Sequence, residues 1–263
     1  MANLDRYARA EALVRTTLSL ADTALRVAYV VSVARNWDVE ALARALDVLC
    51  ERAEQAEAAS REALLAIVDA LNIEQMEDVV QRLREQAVGE SLLALERLIR
   101  CPLRPSRAAE SGKPDMTVGD GRGRPLTLGE RKSLARRPDR DTMQRLLADP
   151  HPDVIRSLLR NPRITEDDVV RLAAKRPGRS DVLAEIVRSI KWSHRPRVRV
   201  AVVMNPASRP EIAARVAGLL LRPELALVAG SPAVPASVRA LCLEHLERRP
   251  PAEPRRGGGH GVH

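Results

Sequence analysis

The chain has 263 residues, of which 45% are apolar, and it carries a net charge of +8. This apolar content excludes a wholly disordered chain. Phenylalanine is absent and tryptophan and tyrosine contribute two residues each, so the core must be aliphatic. Dense packing through alanine and leucine favours helices, because both are strong helix formers with well-defined rotamers.

The charge is unevenly distributed along the chain. Residues 1–100 carry 12 basic and 17 acidic side chains, a net charge of −5, whereas residues 101–263 carry 31 and 18, a net charge of +13. An acidic first part and a basic second part indicate different contacts for each. Opposite charge also favours attraction between the two parts, within one chain or between chains.

The cysteines and the apolar stretches indicate the cellular compartment in which the protein is located. Cys50, Cys101 and Cys242 are odd in number and widely spaced, which is typical of reduced thiols in a cytoplasmic protein. The start of the chain lacks the basic-then-apolar pattern of a signal peptide. The most apolar stretch, residues 24–34, is far shorter than the ~20 residues that cross a membrane. We therefore expect a soluble cytoplasmic protein without membrane contacts.

Residues 1–101 have the pattern of an all-helical domain. Apolar residues at three- and four-residue steps predict a first helix from Leu4 to Ala34 and a second that carries the apolar positions from Leu42 to Leu71. A third helical region follows, with a break near Gly89. Each helix has one apolar side, so we expect a bundle of three or four helices. Completion of this bundle by a second copy of the chain, as a homodimer, stays open.

Two segments have the composition of unfolded chain. Residues 102–125 are rich in proline, glycine and serine and poor in apolar side chains, which predicts a flexible basic linker. Within it, Gly119–Gly123 lacks the Lys-Ser/Thr pair and the strand context of a phosphate-binding loop. Residues 248–263 are predicted to form a disordered tail.

The clearest pattern is an internal repeat. Residues 152–162 and 196–206 are offset by 44 positions and share Pro, Val, Asn and Pro in register. Proline lacks an amide donor and pushes the preceding residue away from helical angles, so a helix must end at Asn161 and at Asn205. Asparagine tolerates such helix-end conformations well.

Each Asn-Pro turn is followed by a signal that starts another helix. Thr165 and Asp168 fit a capping box, and Ser208 with Glu211 has the same spacing. The prolines therefore predict pairs of short helices over residues 126–247. Each pair has one apolar face that only a neighbouring pair can bury, so the pairs should stack as a solenoid.

The segment Asp149–Pro162 and the helix after it resemble units of the leucine-rich repeat variant family and, more broadly, HEAT-like repeats. The resemblance covers residues 126–247. It implies a right-handed superhelix with a binding or scaffolding role, and it implies no catalytic residues. The expected fold is therefore all-α, with an N-terminal helical bundle followed by a short α-helical solenoid of HEAT-like or leucine-rich-repeat-variant units.

One basic stretch contains the chain's second tryptophan and is the candidate partner-binding site. Its cations are suited to phosphates or acidic side chains, with Trp192 as an apolar or stacking anchor. In the alternative interpretation, Trp192 fills a gap between repeats and the cations are merely solvated. The candidate residues are Arg188, Lys191, Trp192, His194, Arg195, Arg197 and Arg199. Further arginines that would extend a basic stripe are Arg156, Arg160, Arg163, Arg171 and Arg215.

The sequence offers no pattern of catalytic residues. The histidines are dispersed, no nucleophile motif is present, and neither a metal site nor a cofactor is expected. The leading hypothesis is therefore a non-catalytic protein-binding scaffold. The alternative is a nucleic-acid-binding module that uses the basic part of the chain. The near absence of aromatic residues argues against single-strand binding by base stacking.

Overall fold

The computed structural model describes residues 2–101, 126–136, 139–149 and 151–251. These ranges contain sixteen α-helices and a 3₁₀ turn at Glu74–Met76, and they contain no strand, which confirms the predicted all-α class. Among the described residues, no helix combines the length and the apolar character that a bilayer span requires. The predicted linker, residues 102–125, lies outside the described ranges.

The N-terminal region contains six helices, α1 (Ala2–Ser19), α2 (Thr23–Asn36), α3 (Val39–Glu54), α4 (Ala58–Leu71), α5 (Glu77–Gly89) and α6 (Leu93–Ile99). The C-terminal region contains ten, α7 (Leu128–Arg136), α8 (Arg140–Leu146), α9 (Pro152–Leu159), α10 (Glu166–Ala174), α11 (Ser180–Arg188), α12 (Ile190–Ser193), α13 (Pro196–Val203), α14 (Pro210–Ala217), α15 (Arg222–Ala229) and α16 (Ala236–Arg248).

The N-terminal helices are shorter and more numerous than predicted. The first predicted helix is divided at Asp22, whose side chain accepts a hydrogen bond from Leu25 N and caps α2. The second is divided at Ala56, whose φ of +65° lies in the left-handed region and ends α3. The predicted break at Gly89 is present, since α5 ends there. The capping Asp22 and the left-handed Ala56 thus divide each of two predicted helices into two shorter ones.

The core of the N-terminal region is aliphatic. Leu49, Ile67 and Leu95 are each almost fully buried in it. One charged pair is buried as well, because Arg97 Nη2 lies 2.6 Å from Glu54 Oε2 and both side chains are less than a tenth exposed. Hydrogen bonds from His245 and Arg97 outweigh burial and lower the pKa of Glu54 to about 2.

The C-terminal helices group in threes rather than in the pairs expected from the prolines. Unit 1 contains α7–α9, unit 2 contains α10–α13, and unit 3 contains α14–α16. In each unit the first helix packs against the last, as α7 on α9, α10 on α13 and α14 on α16. The short helix α12 is an extra turn in unit 2.

Asn161, which follows the last helix of unit 1, connects that helix to the first helix of the unit. Asn161 Nδ2 donates to Ala135 O at 3.2 Å and to Arg136 O at 2.9 Å, while its Oδ1 accepts from Arg163 N. Carbonyl groups at a helix C-terminus have no partner within the helix. Asn161 therefore ends α9 and supplies donors to the end of α7.

Unit 2 has the same closure. Asn205 Nδ2 donates to Ala173 O at 2.7 Å and to Lys175 O at 3.0 Å. Gly178 allows this approach, because a Cβ atom there would lie 2.6 Å from Asn205 Oδ1. The repeated Asn-Pro turn is thus a hydrogen-bonded connection between the first and last helices of a unit.

Unit 3 ends on an arginine instead. Arg249 follows α16 and donates to Gly218 O at 2.7 Å and to Leu220 O, just beyond the end of α14. Arg249 is buried, although the disordered tail was predicted to begin at residue 248. Residues 252–263 lie outside the described ranges.

The N-terminal region packs against units 2 and 3. Leu219 belongs to the N-terminal hydrophobic core. Asp69 Oδ2 lies 2.7 Å from His194 Nε2, and Arg215 Nε donates to Asn72 Oδ1 at 2.8 Å. The two parts of the chain therefore meet within one molecule, as their opposite net charges suggested.

Candidate functional site

Trp192 is part of the core between units 1 and 2. It is 3% exposed, and its indole Nε1 donates to Leu159 O at 2.9 Å. Lys191 lies over the ring, with its amine 4.3 Å from the ring centroid. Of the two interpretations of this tryptophan, the structure favours packing between repeats over an exposed anchor.

Two of the predicted site residues face the N-terminal region. Arg188 donates from Nη1 to Glu185 at 3.0 Å and from Nε to Asn72 O at 3.4 Å. His194 pairs with Asp69. These contacts hold the N-terminal region against unit 2 and leave both side chains only partly exposed.

The remaining predicted residues divide into one buried and three exposed side chains. Arg199 is 8% exposed and donates from Nη1 to Ser193 O. Lys191, Arg195 and Arg197 are exposed on α12 and the start of α13. The predicted cluster is therefore not one surface, and its exposed part is these three cations.

A buried carboxylate positions two exposed arginines close to this part of the chain. Asp168 is fully buried, and it accepts from Arg140 at 2.8 Å and from Arg171 at 2.7 Å. Burial alone raises the pKa of Asp168, but these bonds and that of Thr165 outweigh it and hold the pKa well below its usual range. Arg140 and Arg171 are 52% and 65% exposed.

Both the capping chemistry and the packing of α10 create this arrangement. Thr165 and Asp168 form the predicted capping box, which places Asp168 in the first turn of α10. Because α10 and α13 run side by side, Arg197 reaches Asp167 at 2.7 Å. We call the exposed cations at this edge the arginine edge, defined as Arg140, Arg171, Arg195 and Arg197.

A second series of ion pairs connects α7, α9 and α11. Lys132 lies 3.3 Å from Asp153, and Arg156 lies 3.0 Å from Asp153 and 2.7 Å from Glu185. Burial raises the pKa of Glu185, but the bonds from Arg156 and Arg188 outweigh it and lower the pKa. This series stabilises the stacking of unit 2 on unit 1.

Sequence reasoning found part of the arginine edge and missed the rest. Arg195 and Arg197 were in the predicted site, and Arg171 was a predicted extension of it. Arg140 was not predicted, because only the fold brings it to Asp168, 28 residues away. Arg215, another predicted extension, is 3% exposed and lies in the interface with the N-terminal region.

The described part of the chain was predicted to hold no metal site, and two of its three thiols are buried. No group of three or more His, Cys, Asp or Glu side chains is positioned there to hold a metal ion. Cys50 and Cys242 are buried, and burial raises the pKa of Cys242 to about 12. A thiol with so high a pKa is protonated near neutral pH and is a weak nucleophile.

Comparisons with known proteins give no relative for this chain. No protein-family model, no curated protein and no solved structure matches it. The fold and the arginine edge are therefore the basis for a functional proposal.

Proposed function

We propose that this chain is a non-catalytic scaffold that binds a partner protein through the arginine edge, with an acidic segment as the bound element. The observation that carries the proposal is that Asp167 and Asp168 hold exposed guanidinium groups in fixed positions. Arginine presents five donors in a rigid fork that matches carboxylates. Guanidinium groups already held in place lose less conformational freedom on binding.

Two observations favour a protein partner over nucleic acid. Asp167 and Asp168 pair with three of the four arginines of the arginine edge, so few cations remain for the many phosphate contacts on which nucleic-acid affinity depends. Trp192, the one aromatic residue of positions 101–263, is buried and does not offer a stacking surface. A nucleic-acid-binding module is therefore the second candidate.

A non-catalytic role is supported by the state of the most perturbed carboxylates. Glu54, Asp168 and Glu185 are each ion-paired with arginine, and their pKa values are lowered. A carboxylate with a lowered pKa is a poor general base near neutral pH. These groups support packing and pairing better than proton transfer.

The proposal includes a cytoplasmic location and a homodimer through the N-terminal helices. Free thiols at Cys50, Cys101 and Cys242 suit a reducing compartment. A dimer is supported by Leu4 and Leu25, which are 79% and 57% exposed on α1 and α2. Light scattering of the full chain at low concentration checks the dimer, and a monomeric mass would contradict it.

The test is partner capture by the full chain with the arginine edge altered. The variant combines Arg171→Ala, Arg195→Ala and Arg197→Ala, and it leaves Arg140 in place to neutralise the buried Asp168. If these side chains bind the partner, the amount captured from native cells should fall about tenfold or more, as expected for arginine hot spots. Mass spectrometry measures the captured proteins, and circular dichroism checks that the variant is folded.

The matched control combines Arg15→Ala, Arg35→Ala and Arg82→Ala, three exposed arginines of the N-terminal region. It should capture the partner as well as the parent chain. Equal capture by both triple variants would contradict a role for the arginine edge. A gel shift of the full chain on duplex or single-stranded probes at low salt would favour the second candidate instead.

A further inference from the structure

A cleft lies at the junction between the N-terminal region and units 2 and 3. Its volume is about 320 Å³, within the range that small-molecule sites occupy. One wall is formed by the start of α4, and the other by α13 and the turn after α14. The cleft is lined by Ala56, Ala58, Arg61, Glu62, Leu64, Leu65, Arg199, Gly218 and Leu219.

Arg199 brings a buried cation without a counter-ion to this cleft. It is 92% buried, and no carboxylate of the described chain lies within ion-pair distance of it. Its one side-chain hydrogen bond is to Ser193 O, and its buried Nε has no partner. Burial lowers the pKa of Arg199 and Arg61 lowers it too, although the more distant charges of Glu224 and Asp69 act in the opposite direction. A buried guanidinium normally has a paired anion.

Arg61 supplies a second cation from the opposite wall. Its side chain is half-buried and has no hydrogen-bond or ion-pair partner among the described residues. The one carboxylate on the wall, Glu62, pairs with Arg26 at 2.8 Å. The field of Arg61 also lowers the pKa of Arg249. The cleft therefore contains two cations, and no carboxylate of the described chain forms an ion pair with either of them.

The nearby carboxylates are engaged elsewhere. Asp69 pairs with His194 at 2.7 Å, and Glu224 accepts from Leu221 N at 2.7 Å. Neither is within ion-pair distance of Arg199. The protein thus contributes two guanidinium groups to the cleft and leaves their neutralisation to something that enters it.

We propose that this cleft binds a small phosphate-bearing molecule, with Arg61 and Arg199 holding the phosphate group. Guanidinium forks match phosphate oxygens with paired, charge-assisted hydrogen bonds. The volume exceeds that of phosphate alone, and Leu64, Leu65 and Leu219 offer an apolar wall to a small body attached to it. Since Arg61 comes from the N-terminal region and Arg199 from unit 2, a bound phosphate bridges the two.

The test uses inorganic phosphate and pyrophosphate as probes on the full chain at constant ionic strength, with chloride as the reference salt. Calorimetry should show saturable binding, and the melting temperature should rise with probe concentration. Arg61→Gln and Arg199→Met should each weaken binding about tenfold or more, the loss expected for a charged hydrogen bond. Arg35→Gln, at an exposed arginine of α2 outside the cleft, is the matched control and should bind as the parent does.

A second readout separates an anion site from a structural role. Without added probe, Arg199→Met should melt at or above the parent temperature, because it removes an uncompensated buried charge. A lower melting temperature that added phosphate does not change would overturn the proposal. So would the absence of saturable binding to the parent chain, or Arg61→Gln binding as tightly as Arg35→Gln. Arg61 is only partly buried and has no hydrogen-bond partner, so its variant remains informative if Arg199→Met fails to fold.

Discussion

Units 1 and 2 close on an asparagine, whereas unit 3 closes on Arg249. In all three, the closing side chain donates to carbonyl groups at the end of the unit's first helix. Units 1 and 2 repeat the same short turn. Unit 3 meets the N-terminal region, and its closing side chain, Arg249, is longer than asparagine and charged. The asparagine turn of units 1 and 2 is therefore visible as a repeat in the sequence. The Arg249 closure, which lies beside the N-terminal region, occurs only once among the three units.

The closure of unit 3 also lies beside a buried charge of the N-terminal region. Arg249 and His245 are 7% and 2% exposed, and both lie near Glu54 of the N-terminal region. Burial lowers the pKa of Arg249 to about 10, and Arg61 contributes. Arg249 therefore remains charged at neutral pH, and the carboxylate of Glu54 in the N-terminal region favours this charge. Units 1 and 2 close on neutral asparagines, so their turns depend less on the N-terminal region.

The largest expected effect in this comparison is at Glu54. Glu54→Gln removes the charge that neutralises the buried Arg97, and it should lower the free energy of unfolding by about 3–5 kcal/mol. Since its pKa falls from 4.5 to about 2 on folding, the contribution of this carboxylate is complete above pH 4.5. It is lost as the pH falls from 4.5 towards 2. Urea denaturation at neutral pH and in acid measures both effects.

Glu62→Gln is the matched control for this substitution. Glu62 is 51% exposed and pairs with Arg26, so its loss should cost less than about 1 kcal/mol. Equal unfolding midpoints for the two variants would contradict a stabilising role for the buried pair.

The next effect tests whether the asparagine closures are equivalent. Asn161→Ala and Asn205→Ala each remove the donor to two carbonyl groups at a helix end, and each should cost about 1–3 kcal/mol. Urea denaturation should show similar losses for both, because the two turns have the same contacts. A large loss for one variant alone would contradict this equivalence.

Substitution of the prolines after these asparagines distinguishes the effect of backbone restriction from the effect of the side-chain hydrogen bonds. Pro162 and Pro206 are exposed, so Pro162→Ala and Pro206→Ala should cost less than about 1 kcal/mol, mainly through the unfolded chain. If a proline variant loses more stability than its asparagine neighbour, the restriction of the backbone matters more than the hydrogen bonds.

The smallest effect is a pH dependence at the end of unit 3. Burial lowers the pKa of His245 below its ordinary 6.5, although Glu54, 3.4 Å away, favours the charged form. Arg97 and Arg249 lower it further. As the pH falls below 6.5, the unfolded chain binds a proton that the buried imidazole does not, so stability should decrease.

His245→Gln should reduce this loss between about pH 7 and pH 5. Urea denaturation across that interval measures the slope for the parent and the variant. His151→Gln, a substitution in unit 1 far from the N-terminal region, controls for the loss of a histidine. A parent slope retained in His245→Gln would assign the titration to another group.

The sequence predicted features that depend on neighbouring residues. The helix ends at Asn161 and Asn205 and the capping box of Thr165 and Asp168 are present. Proline geometry and first-turn capping act over a few positions, so a short segment is enough to recognise them. The left-handed Ala56, which ends α3, has no comparable signal, since alanine favours a helix.

The grouping of helices and the site could not be predicted in full, because they depend on contacts distant in the chain. Prolines mark where helices end, but not that α7 packs on α9. Arg140 reaches Asp168 across 28 residues, and Arg199 lies in a cleft whose opposite wall belongs to the N-terminal region. Charge in the sequence indicated a basic surface, whereas the fold decides which cations face solvent.

The closure at Arg249 has a consequence for lengthening the array. Unit 3 packs against the N-terminal region on one side and closes on Arg249. An additional copy appended after residue 251 would therefore meet a surface that has no asparagine turn. A copy of residues 165–205 inserted directly before Thr165 would instead keep both native ends. Protein engineers who wish to extend this architecture should therefore insert new modules at the junction of units 1 and 2.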